Sequence, residues 1–114
     1  MLPDSRTFSL TPAGRAYLRF LLAYNSNDPK KIRAYIADKF APEFLAQHPV
    51  EELTQWCLEA YKVTGDMQIH KVYFSEDYYV IIIAITGSGV RYLEKMKIMT
   101  ESPHKIIEYF RENA

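Results

Sequence analysis

The sequence predicts an α+β domain in which N-terminal helices pack on a curved, four-stranded antiparallel sheet. Three observations carry that reading. Two helix starts of the same kind, Thr11-Pro12 and Asp28-Pro29, follow in quick succession. The hydrophobic period then changes from about 3.6 residues to 2 near Asp66, and short turn signals separate four β-rich runs after that point. Helices first and a sheet second, within one short chain, place the helices over one face of the sheet.

Thr11 reads as an N-cap, because its hydroxyl can accept an orphan amide hydrogen bond, and Pro12 fits the first helical position because it has no amide to lose. Ala13, Ala16, Tyr17, Phe20, Leu21 and Tyr24 recur at three- and four-residue spacing and form one stripe, with Arg15 and Arg19 on the opposite side. Asn25-Ser26-Asn27 breaks the pattern. Asp28-Pro29 repeats the cap, and Ile32, Tyr35 and Ile36 give a shorter helix of about two to three turns before Phe40-Ala41-Pro42. Phe44 and Leu45 suggest one further turn. His48-Pro49 opens a third main helix through Val50, Leu53, Trp56, Cys57, Ala60 and Tyr61, ending near Gly65.

From Asp66 the pattern is β. The runs Met67 to Phe74, Tyr78 to Thr86, Val90 to Met99 and His104 to Phe110 read as strands joined at Ser75-Glu76-Asp77, Gly87-Ser88-Gly89 and Glu101-Ser102-Pro103. Loops this short force antiparallel neighbours, hence a meander. In the second run Tyr78, Val80, Ile82 and Ala84 point one way and Tyr79, Ile81, Ile83 and Ile85 the other, so both faces are apolar. One face goes under the helices. The other is expected to be covered by a second copy or another domain, and the expectation is a homodimer through the sheet.

The 114 residues show no linker, repeat or low-complexity tract, so 1–114 reads as a single domain large enough to be stable without staples. Cys57 is the only cysteine, which excludes an internal disulfide or a thiolate metal site and favours a reducing, cytoplasmic compartment. Fourteen basic and fourteen acidic residues cancel, with no block longer than Lys30-Lys31, so neither nucleic acid nor an anionic membrane surface is expected as a partner. Met1 to Ser9 lacks a signal-peptide core, and the longest apolar run, Tyr78 to Ile85, is too short to span a bilayer.

The run Thr11-Pro12-Ala13-Gly14-Arg15, the helix ending in Ala23-Tyr24-Asn25-Ser26, and then Asp28-Pro29 resemble the cystatin-like fold of the nuclear transport factor 2 type. More narrowly, they resemble the small domain found ahead of bacterial serine hydrolases of the β-lactamase and tail-specific peptidase kinds. Pro49-Val50-Glu51-Glu52 and Pro103-His104-Lys105-Ile106 are similar to later parts of that domain. The resemblance implies helices set into the mouth of a strongly curved sheet, forming a cone with an internal cavity, and a bacterial setting. It implies little about chemistry, since the superfamily includes isomerases, dehydratases, cyclases and non-catalytic binding or dimerisation modules. No hydrolase follows the last strand here, so the chain reads either as a stand-alone relative or as a fragment.

A catalytic member would need a carboxylate or histidine raised into an apolar cavity, with a tyrosine or second acid donating to a developing oxyanion. Glu94, between Tyr92 and Met96 on one face of the third strand, is a candidate base if that face looks inward. The plainer account is a solvated or cross-strand-paired glutamate, because Lys95 and Lys97 show that one face of the strand tolerates charge. His70, alternating with Gln68, Val72 and Phe74, is a second candidate base or an edge residue. Tyr17, Trp56, Tyr61 and Tyr92 are candidates to line a ligand cavity; the plainer account is an aromatic core with satisfied hydroxyls.

No metal or other cofactor is expected. His48, His70 and His104 lack ligand spacing, and no aspartate cluster resembles a calcium loop. Cys57 reads as a buried, inert thiol, and Gly87-Ser88-Gly89 as a hairpin turn rather than a phosphate loop. Three functional expectations remain open. One is a non-catalytic module that dimerises and binds an apolar small molecule or a partner such as a hydrolase. The others are a cofactor-independent isomerase or dehydratase using Glu94 or His70, and an accessory domain of a serine hydrolase.

Overall fold

A single hydroxyl joins the first two helices. Thr11 Oγ1 donates to the Phe8 carbonyl at 3.0 Å, closing α1 (Ser5–Leu10), and accepts from the Gly14 amide at 3.0 Å, opening α2 (Pro12–Ser26). The computed structural model describes residues 5–114; the reading of Met1 to Ser9 as lacking a leader lies in part outside the described residues. α1 was not expected from the sequence, because Phe8 is the only aromatic residue in a segment without helical periodicity. Its close approach to α2 depends on Gly14: a Cβ there would sit 1.8 Å from the Phe8 carbonyl oxygen.

α2 ends as Asn27 turns left-handed (φ 51°). The neighbouring Asn25 clamps the helix to the sheet, its side-chain amide donating to the Met67 carbonyl (2.8 Å) and its carbonyl accepting from the Met67 amide (2.9 Å). Asp28 caps α3 (Pro29–Lys39) through the Lys30 amide. The short α4 (Pro42–Gln47) follows, then α5 (Val50–Thr64), which stops at Gly65 (φ 62°). The three main helices, the extra turn and their boundaries agree with the sequence reading to within two residues.

The strands are β1 (Met67–Glu76), β2 (Tyr79–Thr86), β3 (Arg91–Ile98) and β4 (Ile106–Asn113), an open antiparallel meander in the order β1-β2-β3-β4. The α+β class and the four-stranded antiparallel sheet are as expected. α2 crosses β1, β2 and β3, and the core lies between it and the inward residues Val72, Val80, Ile82, Ala84, Met96 and Ile98. At the far edge the Ala41 amide donates to the Ile106 carbonyl at 2.8 Å, tying the α3–α4 junction to β4.

Three strand details differ from the alternation read in the sequence. Register shifts in β1 between Ile69 and Lys71 and between Val72 and Phe74 break its period. As a result Val72 faces inward and Phe74 outward, although a strict alternation puts them together with His70. Tyr78 lies in the β1–β2 hairpin loop rather than in β2, since Glu76 pairs directly with Tyr79. β4 starts two residues later than expected and continues three residues past Phe110, because cross-strand pairing with β3 carries the polar run Arg111-Glu112-Asn113.

Candidate functional site

The inner face of β3 carries one acid into the core. Glu94 is 0 % exposed, and each of its oxygens is occupied. Tyr17 from α2 donates to Oε1 at 2.9 Å and Tyr109 from β4 donates to Oε2. Arg111 Nη2 lies 3.3 and 3.4 Å from the two oxygens. The sheet register sets this constellation: Met96 pairs with Tyr109 and Glu94 with Arg111, so two successive inward positions of β4 fall beside the carboxylate.

The cation is held as firmly as the anion. The Arg111 side chain is 6 % exposed, and its guanidinium lies over the rings of Tyr24, Trp56 and Tyr92 at 4.6, 5.0 and 5.7 Å from their centroids. Its Nη1 donates to Tyr24 Oη at 3.0 Å. Thr64 Oγ1 donates to the Gly65 carbonyl, which leaves the Tyr24 proton to satisfy Thr64 at 2.7 Å. A polar chain thus runs from Glu94 through Arg111 and Tyr24 to the C-terminus of α5. Among the described residues of this chain of contacts, Arg111 Nε lacks a hydrogen-bond partner.

Charge and burial explain the proton affinities here. Burial raises Tyr17 and Tyr109 well above the ordinary phenol range, and the Glu94 charge beside them pushes further the same way. Burial works against the Arg111 cation, but its interactions with Tyr109 and Glu94 outweigh that, so it holds its proton more tightly than a solvated arginine. The nearby Cys57 thiol is pushed up to about 12, chiefly by burial, so it is protonated and inert at neutral pH.

A general base needs a free lone pair and a path for substrate. Glu94 accepts from two phenols and a guanidinium, and it does not line the hollow that its partners Tyr109 and Arg111 border. The arrangement is a buried polar network in which both carboxylate oxygens are already hydrogen-bonded. The solvated account of Glu94 is overturned by its burial. The cross-strand pairing is present, with Arg111 inside rather than a lysine outside.

Tyr17, Trp56 and Tyr92 gather round the Glu94–Arg111 pair, whereas His70 and Tyr61 stand apart from it. His70 is exposed at the first irregularity of β1, away from the interior. Tyr61 donates to Asp66 at 2.7 Å, and Tyr92 lies under the Arg111 guanidinium. Trp56 lines a hollow of about 260 Å³ together with Phe44, His48, Leu53, Tyr109 and Arg111, and Tyr17, Tyr61 and Tyr92 do not line it. The sequence reading missed Arg111, because a strand ended at Phe110 cannot include it. Continuing the alternation two residues beyond Tyr109 is the signal that finds it.

The outer face of the sheet is a second candidate site. Ile81, Ile83 and Ile85 form a half-buried stripe along β2, with Leu93 across from Ile83 on β3 and Phe74 across from Ile81 on β1. Lys95 reaches over the Phe110 ring and Lys71 over the Tyr73 ring, at 5.7 and 5.5 Å. None of the described helices packs on this face; their buried partners are the inward residues.

Among the described residues no group of three or more histidine, cysteine or acidic side chains is placed to hold a metal, and no helix is long and apolar enough to cross a membrane. No family model, curated protein or solved structure matches the chain.

Proposed function

We propose that this chain is a non-catalytic association domain that dimerises through the outer face of its sheet. The observation that carries the reading is the Ile81, Ile83, Ile85 and Leu93 stripe, which lies at the centre of a sheet face that none of the described helices covers. The saturated Glu94 network supports the non-catalytic half of the reading, since its acid is already neutralised by partners of its own. The resemblance of the opening segment to accessory domains of serine hydrolases agrees with an association role, for which either a second copy or a hydrolase could serve as cover.

Charge favours a second copy. Glu112 stands on β4 at one edge of the face and Lys71 on β1 at the other, level with each other through Leu93 and Ile83. A two-fold axis running parallel to the strands, between β2 and β3, lays β1 of one copy over β4 of the other and brings Lys71 over Glu112 at both edges. Eight-residue strands in a four-stranded sheet offer a footprint of roughly 500 Å² per copy. That is below the roughly 800 Å² per partner of a standard stable interface, so the dimer should have micromolar rather than nanomolar affinity.

Sedimentation velocity between low and high micromolar concentration tests this. The wild-type protein should pass from monomer to dimer, and Ile83→Lys, as well as the edge variant Phe74→Glu, should remain monomeric with unchanged far-ultraviolet circular dichroism. A wild-type protein that stays monomeric throughout, or an Ile83→Lys variant that still dimerises, sinks the proposal.

The hollow beside Trp56 favours a second use, retention of a small apolar or aromatic molecule. Native mass spectrometry of the purified protein would reveal it as an added mass that Trp56→Ala removes.

A further inference from the structure

The net charge of zero hides a segregation that appears only in three dimensions. The solvent-facing sides of α2 and α3, with Pro103, His104 and Ile106 at one end, form a groove made of two adjoining hollows of about 280 and 550 Å³, which share Arg19, Tyr35 and Lys39. Arg15 lines the first and Lys31 the second, so four cations from two helices line one depression. No acidic side chain among the described residues lines either hollow. Arg15, Arg19 and Lys31 make no ion pair within the described chain, and Lys39 touches only the exposed Asp38 at 3.2 Å. In sequence these cations are scattered between positions 15 and 39, and only the packing of α3 against α2 collects them.

The groove is not simply basic. The Tyr35 hydroxyl is spent on the Ala16 carbonyl at 2.9 Å, and Leu22, 74 % exposed, stands on the wall of the larger hollow. A polyanion of phosphates would use the cations and leave this apolar surface wet. A peptide that carries both carboxylates and apolar side chains uses both.

We propose that the α2–α3 groove binds a short, extended acidic peptide segment of a partner protein. Spacing supports the extended form. Arg15 and Arg19 are four residues apart on one helix face, so their attachment points lie about 5–6 Å apart. Carboxylates at alternate positions of an extended strand recur every 6–7 Å or so, which lets successive acids meet successive arginines while intervening apolar residues reach Tyr35 and Leu22. From Arg15 to Ser26 the groove wall is roughly 16 Å long, enough for about five extended residues. This surface belongs to the helical layer, so occupancy of the groove and association through the sheet are independent.

The test uses a fluorescein-labelled peptide of alternating glutamate and leucine, titrated with the full chain and followed by anisotropy at low salt. Binding is expected in the tens of micromolar, weakening severalfold between about 50 and 300 mM salt because exposed charges are screened. The exposed double variant Arg15→Glu/Arg19→Glu should bind at least tenfold more weakly, whereas Lys62→Glu, on α5, should bind as wild type. Circular dichroism confirms that each variant is folded. Equal binding of the glutamine version of the peptide, unchanged binding by the double arginine variant, or displacement of the peptide by tripolyphosphate at matched charge would each overturn the proposal. The last result would mark a plain anion site.

Discussion

Glu94 and Arg111 face each other as register partners on β3 and β4, with Nη2 3.3 Å from Oε1 and both side chains sealed from solvent. Moving two such ions out of water costs several kcal/mol each, and the two phenols and three aromatic rings around them offset that cost. Breaking the pair from one side should therefore be more damaging than removing both charges. Glu94→Gln leaves a buried, unpaired guanidinium and is expected to lose about 3–5 kcal/mol in urea unfolding. Glu94→Leu/Arg111→Met should lose clearly less than the sum of its single variants, a coupling of about 1 kcal/mol or more in a double-mutant cycle. Additive losses would mean that the pair is incidental to the interior.

The same network sets an alkaline limit on stability. Tyr17 and Tyr109 are raised in the folded state by burial and then by Glu94, so the fold keeps their protons while the unfolded chain releases them above about pH 10. Fewer bound protons in the unfolded state make stability fall as pH rises, at about 1.4 kcal/mol per pH unit for each group. Cys57, held up to about 12 by burial, adds to the slope from about pH 9. Urea titrations between pH 8 and 11.5 should show this decline, and Tyr17→Phe should flatten it above pH 10. Stability that holds level to pH 11 would contradict the assigned burial of the phenols.

Apart from α1, the element types and their order were legible because local signals agree with the tertiary result. Thr11-Pro12 and Asp28-Pro29 cap helices, and β2 alternates without interruption. The irregularities of β1 were not legible, because an extra residue in a strand is a property of the pairing with β2 rather than of the residues themselves. Glu94 was visible as a candidate, but its partners were not. Tyr17 lies 77 residues away in sequence, and Arg111 enters only once β4 is extended by its pairing with β3. The basic groove was invisible for the same reason, since its four cations come from two helices whose individual charge patterns look ordinary.

The last prediction concerns Gly14, where the requirement is space rather than a left-handed backbone. Gly14 is buried at the start of α2, and its amide is held by Thr11 Oγ1 while the same hydroxyl holds the Phe8 carbonyl. A methyl group at Gly14 would meet that carbonyl oxygen at 1.8 Å and the carbonyl carbon at 2.8 Å, both of them backbone atoms that no side-chain rotation can clear. On helix propensity alone, alanine would stabilise the position by up to about 1 kcal/mol. The steric conflict reverses the sign, because α1 must lift away from α2 and expose Phe8, a fully buried aromatic that packs edge-on against Tyr17. Gly14→Ala is expected to destabilise the fold by about 2 kcal/mol, the scale of burying one large apolar side chain. Hydrogen exchange should show that protection is lost first in residues 8–11, with the β2 and β3 amides unaffected. A variant as stable as wild type would show that α1 does not pack on α2 in solution.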